Sequence, residues 1–267
     1  MLYLIATPIG NLEDITLRAL KILRECDYIL AEDTRNSGVL LRHFQITKKC
    51  LAFEKFSEKK LEEKILEDLE KGQKIALISD AGTPLISDPG ESLVRSCLKK
   101  KLPFTYLPGA CSVIGALVLS GFKNSPFQFR GFLEKKTEKL KEQLRRLLAY
   151  RGTSVAFESP HRIEKTLKAL QKLDPKRNLA VAREMTKLFE ETRRGKPAEL
   201  IEHFSKNPPK GEIVLIIEEG PCPLEEIKPE ELLEILKEEF ALSTKEALKM
   251  AAKILKTKKN QLYKKLL

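Results

Sequence analysis

Lys74-Ile75-Ala76-Leu77-Ile78-Ser79-Asp80-Ala81-Gly82-Thr83-Pro84 is the stretch on which the fold turns. Its first half is apolar without alternation, the mark of a strand covered on both faces. Its second half is a small-residue loop at the carboxyl end of that strand. In open α/β sheets, ligands bind beyond the carboxyl ends of the strands. Ala81 and Gly82 let backbone approach a ligand closely, and Asp80 adds a negative charge there. Such a loop repels phosphate and attracts an amino-bearing ligand. Neither G-x-x-x-x-G-K-[ST] nor G-x-G-x-x-G occurs in the chain.

Working outward, similar apolar runs at 2–6, 28–31, 50–53 and 104–107 alternate with helical patterns. Leu61, Ile65, Leu66 and Leu69 recur at three- and four-residue spacing with Glu and Lys between them. Strand–helix alternation of this kind predicts a mostly parallel sheet. Gly121-Phe122-Lys123-Asn124-Ser125-Pro126 is the expected boundary of a first domain, 1–120. In a second domain, 121–221, strands are expected at 128–132, 154–157, 179–183 and 212–217. Helices are expected at 138–148, 163–173 and 198–204, and an exposed hairpin or loop at 192–196. Gly220-Pro221-Cys222-Pro223 reads as a linker to a helical tail, 222–267. Within the tail, residues 225–239 are Glu-rich, and residues 245–265 hold eight Lys against Glu246. Ser243 with Glu246 three residues on predicts a capped helix start. Thr257 then interrupts before a second short helix. Two short helices with Lys on the outer face suit a nucleic-acid module, or a solvated tail packed on its own protein.

Three more strand ends carry loops of the same kind. Residues 7–11, Thr7-Pro8-Ile9-Gly10-Asn11, follow the first strand. Pro108-Gly109-Ala110-Cys111-Ser112 opens an apolar helix, with Cys111 read as a small buried residue. Glu158-Ser159-Pro160-His161-Arg162 follows the strand ending at Phe157. There Ser159 as N-cap and Pro160 at N1 account for a helix start. Glu158, His161 and Arg162 remain as groups able to contact a substrate or move a proton. Glu32-Asp33-Thr34-Arg35 stands likewise after the second strand, where Asp33 or Thr34 can also cap a helix. Asp88-Pro89-Gly90-Glu91 is read as a capping box and left out of the site.

Composition narrows the partners. The 267 residues carry 49 Lys and Arg against 38 Asp and Glu, a formal charge of +11, which favours an anionic partner and nucleic acid first. No apolar run reaches the ~18–20 residues that a membrane span needs, and the start lacks the basic region of a signal peptide. Five scattered Cys and three distant His predict neither a disulfide framework nor a metal site, and suit a reducing cytoplasm.

Taken together, the loops resemble the tetrapyrrole methylase superfamily, and within it the bacterial ribosomal RNA small-subunit methyltransferase I branch. The matching stretches run in order: LYLIATPIGNLEDITLRAL at 2–20, AEDTR at 31–35, LISDAGTPLISDPG at 77–90 and LPGACS at 107–112. FQFRGFL at 127–133, AFESPHRI at 156–163, AREMTKLFEE at 182–191 and GEIVLIIEEG at 211–220 complete them. The resemblance implies a two-domain α/β fold, with a parallel-sheet N-terminal domain and a mixed-sheet second domain, plus the helical tail. It implies a homodimer that binds S-adenosylmethionine in the cleft between its domains. The implied reaction is 2′-O-methylation of a cytidine ribose in the decoding region of small-subunit rRNA. The cofactor contacts it implies are Pro8, Asp80, Ala81, Gly82, Thr83, Cys111, Ser112, Phe157 and Ala182. The residues themselves add Asp33, Glu158 and His161 as proton acceptors and Arg35 and Arg162 as phosphate anchors, with Lys256, Lys258 and Lys259 of the tail facing RNA. Two other readings are a superfamily methyltransferase acting on a tetrapyrrole or a protein, and a non-enzymatic RNA-binding assembly factor.

Overall fold

A computed structural model describes residues 1–53, 58–220, 229–238, 240–255 and 257–266. The described chain forms two compact units. One comprises 1–115 with 184–190, the other 116–183 with 191–267.

The first unit is built on five parallel strands, β1 (Leu2–Ile5), β2 (Tyr28–Ala31), β3 (Cys50–Ala52), β4 (Ile75–Ile78) and β5 (Phe104–Leu107), in the order β3-β2-β4-β1-β5. Alternate residues of each central strand point to opposite faces, and both faces are covered. Leu2, Leu4, Leu30, Ile75 and Leu77 pack with Ile65, Leu66 and Leu69 of α3 (Glu58–Glu70) and with Leu93 and Cys97 of α4 (Glu91–Lys99). Ile5, Ile29, Ala31, Ala76 and Ile78 pack with Ala19, Leu20 and Leu23 of α1 (Leu17–Glu25) and Leu41 of α2 (Thr34–His43). This double covering is why the run at Ile75–Ile78 lacks alternation. The chain leaves neighbouring β1 and β4 in opposite directions, toward β2 and β5. Their carboxyl ends therefore flank a topological switch point.

The second unit holds a mixed sheet, β6 (Phe127–Phe132), β7 (Thr153–Glu158), β10 (Ile213–Ile217), β8 (Leu179–Arg183) and β9 (Glu191–Gly195). Only β6 and β7 are parallel. One face packs on α6 (Thr137–Leu148), α7 (Ile163–Leu173) and α8 (Pro197–Lys206) through Leu144, Leu167, Leu200, Val181 and Leu215. α5 (Ser112–Ser120) ends against β9, where the Arg194 guanidinium donates to the carbonyls of Leu119 and Ser120. The tail is three helices, α9 (Pro229–Glu238), α10 (Thr244–Ile254) and α11 (Lys259–Leu266), around Leu232, Leu236, Leu248, Ala251 and Leu262.

Three local expectations change and one is resolved. Of the hairpin and the loop expected at 192–196, the hairpin forms: these residues lie mainly in edge strand β9, which pairs antiparallel with β8 and whose charged Arg193 and Arg194 suit an exposed edge. Gly90, at φ 120°, is the N-cap of α4 in place of Asp88, and Glu91 pairs with Arg95 one turn on. Ser159 opens a turn whose carbonyl accepts from Arg162 and Ile163, so α7 is capped by Arg162. The Glu-rich segment contains a helix, α9, which the charge run concealed. The Ser243–Glu246 capping box is present, and the linker residues 221–223 and Lys256 lie outside the described residues.

Candidate functional site

In the first unit, the loops leaving the carboxyl edge of the sheet are tied together. Thr7 and Gly82 exchange two backbone hydrogen bonds of 2.9 and 3.0 Å, across the switch point between β1 and β4. Thr7 Oγ1 donates to the Ser79 carbonyl at 3.2 Å. Thr83 Oγ1 donates to the Ala110 carbonyl at 3.3 Å and lies 3.2 Å from the Tyr106 hydroxyl. Gly82 sits at φ 78°, and a Cβ there would stand 3.2 Å from Ile9 Cγ2. Both the backbone angle and the space favour glycine. Pro8 is buried beside this bridge, and half-buried Cys111 and Ser112 open α5.

Asp80 is exposed at the end of β4. Its carboxylate accepts from the Asp33 amide at 2.9 Å and from Asn36 Nδ2 at 2.8 Å. Neither of these donors is a cation. Asp33 caps α2 by accepting the Arg35 amide at 2.8 Å, and its two oxygens also take Arg35 Nε at 3.1 Å and Nη2 at 2.7 Å. Those hydrogen bonds hold its carboxyl down to about 2. An anion so well satisfied is a weak base.

In the second unit, Phe157 and Ala182 both stand opposite Val214 of β10, one on either side. Glu158, the next residue, is fully buried. Its oxygens accept from the Ser159 amide at 2.8 Å and the Thr166 hydroxyl at 2.5 Å, and Arg162 lies 3.4 Å away. Arg162 Nη2 also donates to the carbonyls of Leu133 at 3.1 Å and Glu134 at 2.6 Å. Glu158 is thereby engaged by Ser159 and Thr166, and Arg162 by the backbone at 133 and 134. His161 is exposed, and among the described residues its side chain makes no hydrogen bond. Lys258 is exposed and Lys259 half-buried in the tail.

Reading the sequence alone missed Asn36, Tyr106 and the pairing of Asn11 with Thr186. The Asn11 amide donates to Thr186 Oγ1 at 3.0 Å, and a Cβ on Gly10 would meet Lys187 Cγ at 2.6 Å. The glycine and asparagine were visible as a loop signal. Their partner lies 175 residues away, which no local pattern records. Among the described residues, no group of three or more His, Cys, Asp or Glu is placed to hold a metal ion. No helix among them is long and apolar enough to cross a membrane.

Comparison with known proteins adds three findings. Residues 1–201 match the model of the tetrapyrrole (corrin/porphyrin) methylases. The chain is 45% identical over 216 residues to the ribosomal RNA small subunit methyltransferase I of Thermotoga maritima, covering 81% of this chain and 97% of that protein. It is 44% identical to the protein of the same name from Pasteurella multocida, over 98% of this chain and 95% of that one. Among solved structures, a cobalt precorrin-4 methyltransferase superposes with a TM-score of 0.62 at 17% identity, over 81% of this chain and 94% of that one. A diphthine synthase does so at 0.60 and 14% identity, over 82% and 89%. At those identities the likeness is one of fold.

Proposed function

The chain belongs to the tetrapyrrole (corrin/porphyrin) methylases, in the branch of the ribosomal RNA small subunit methyltransferases I, and on that premise we propose that it methylates a cytidine 2′-hydroxyl in the RNA of the small ribosomal subunit. It is an S-adenosylmethionine-dependent methyltransferase. The observation that supports the reading best is the uncompensated Asp80 carboxylate beside loops of small residues at the switch point. When bound, S-adenosylmethionine supplies an electrophilic methyl group on a positively charged sulfur. The donor set suits it. Asp80 offers an anion to the cofactor's ammonium, and Pro8, Ala81, Gly82, Thr83, Cys111 and Ser112 offer backbone that a ligand can approach. Phe157 and Ala182 are the contacts we assign to the second unit.

Transfer to a hydroxyl is chiefly a matter of positioning the oxygen in line. The hydroxyl proton still needs an acceptor. Asp33 is held too acidic by Arg35, and the oxygens of Glu158 are filled. Of the three groups we assign the proton to His161, whose exposed side chain makes no hydrogen bond among the described residues, and the phosphate contact to Arg35, whose guanidinium remains largely exposed. Substitution of His161 that leaves turnover intact removes it from this role. We further assign a homodimer and a cytoplasmic location, as the resemblance and the scattered cysteines suggest. The test is transfer of labelled methyl to small subunits that lack the modification, followed by nucleoside analysis. The expected product is 2′-O-methylcytidine. A methylated base, or no transfer by enzyme that binds the cofactor, rejects the assignment.

A further inference from the structure

At the end of β6 an exposed phenylalanine is held in place by an unusual amount of structure. Phe129 stands opposite Val155 of β7, and Phe132 opposite Phe157. Three steps along β6 thus match two along β7. In a regular strand, residues three apart face opposite ways. The bulge between Phe129 and Phe132, with Gly131 at φ 67°, brings both rings to the same face. Their centroids lie 4.9 and 5.2 Å from that of Phe157. Phe129 and Phe157 are half-buried, whereas Phe132 is 56% exposed.

The chain just beyond this ring is pinned. The Leu133 amide donates to the Phe157 carbonyl at 3.0 Å. Arg162 grips the carbonyls of Leu133 and Glu134, and buried Glu158 faces Arg162. The motif at 158–162 therefore acts on the segment that carries Phe132. A large apolar ring presented to solvent by a bulge and fixed by a buried carboxylate is poorly explained by packing alone. Exposed Arg130, Lys135 and Lys136 flank it and outnumber exposed Glu134, a net positive setting that suits a polyanion.

We propose that Phe132 is a base-stacking residue for the RNA substrate, receiving a base of an unpaired stretch on its open face, with Glu158 and Arg162 as positioning residues for it. A phenyl ring offers a π-face without hydrogen-bond selectivity, which is how proteins commonly hold unpaired bases. The inference rests on the RNA-methyltransferase reading above and adds a substrate contact to it.

The experiment compares wild type with F132A, F132L and F132W, using unmodified small subunits as substrate. It reads KM and kcat for transfer, the affinity for S-adenosylmethionine, thermal stability and oligomeric state. F132A is expected to raise KM for the subunit about 10- to 100-fold, as loss of one stacked base implies. F132L should resemble F132A, and F132W should restore KM to within a few fold. Cofactor affinity and oligomeric state should not move. Rescue by F132L overturns the proposal, because size and not aromaticity then matters. A loss of cofactor affinity assigns the ring to the cofactor's adenine, and a changed oligomeric state assigns it to a second copy of the chain. Either outcome overturns the proposal too. Wild-type activity with an unmoved KM in F132A defeats this inference alone. Wild type that neither binds nor methylates the subunit defeats the RNA reading and this inference with it.

Discussion

Asp33 and Asp80 sit at neighbouring strand ends, yet their surroundings give them opposite work. Arg35 neutralises Asp33, whereas Asp80 is met only by uncharged donors. Asp33 is depressed from an ordinary 3.8 to about 2. A depressed carboxyl contributes stability that is present above its ordinary value and lost as pH falls toward the folded value. Asp33 should thus remain ionised to about pH 2 and contribute no limb to the activity profile above pH 4. Carboxyl NMR titration, with D33N as the assignment control, checks this, and a midpoint near 3.8 would show that the pair with Arg35 does not form. D80N should weaken S-adenosylmethionine binding by roughly 10-fold or more, the worth of one charge-assisted hydrogen bond. Calorimetry reads it directly, and unchanged affinity removes Asp80 from the cofactor site. The candidacy of Asp33 was legible in the sequence. Its dependence on Arg35, and the engagement of Glu158 by Thr166, needed side chains in place.

At the scale of elements, termini decided where sequence signals could be trusted. Ser243 and Glu246 form a reciprocal cap at an exposed helix start. S243A should cost the tail about 1 kcal/mol. Hydrogen exchange of α10 amides would register that loss, and cofactor affinity should stay as it was. Protection equal to wild type would mean that the cap carries no stability. At residues 88–91 the same kind of pattern failed. Gly90 takes the N-cap in a left-handed backbone, where an added Cβ would meet Leu85 Cδ2 at 3.0 Å. Packing against Leu77 and Leu85 outweighed a local cap. Strand β9 shows the reverse case. Its charges left hairpin and loop both open, and the structure forms the hairpin: Arg194 reaches the end of α5, and Glu191 pairs with Arg183 and His203. Burial alone would raise the Glu191 carboxyl, and those two partners outweigh it, so it lies below its usual range.

Across the whole molecule, charge is the property that composition predicts best. An excess of +11 implies that RNA binding weakens steeply with salt, because each phosphate contact releases counterions. Reversing Lys258 and Lys259 to Glu should lower the slope of log affinity against log salt by about one for each lysine that meets a phosphate. An unchanged slope takes these two residues off the RNA surface. The tail has its own apolar centre, with Phe240 under the Arg146 guanidinium at 5.5 Å. It is therefore a folded element and not only a basic extension.

By itself the sequence determined the strands of the first sheet, four of the five in the second, most of the helices, the strand-end loops and the sign of the partner. These are short-range facts: periodicity reports which faces are buried, and small residues report where backbone must come close. Only the tertiary structure decided what each charged side chain does. Glu158 reads as a catalytic carboxylate until Thr166 and Arg162 engage its oxygens, and the strand expected at 128–132 says nothing of Phe132 until the bulge and its exposure are seen. The protonation and role of a polar group depend on neighbours brought from distant positions, and spacing along the chain carries no record of them.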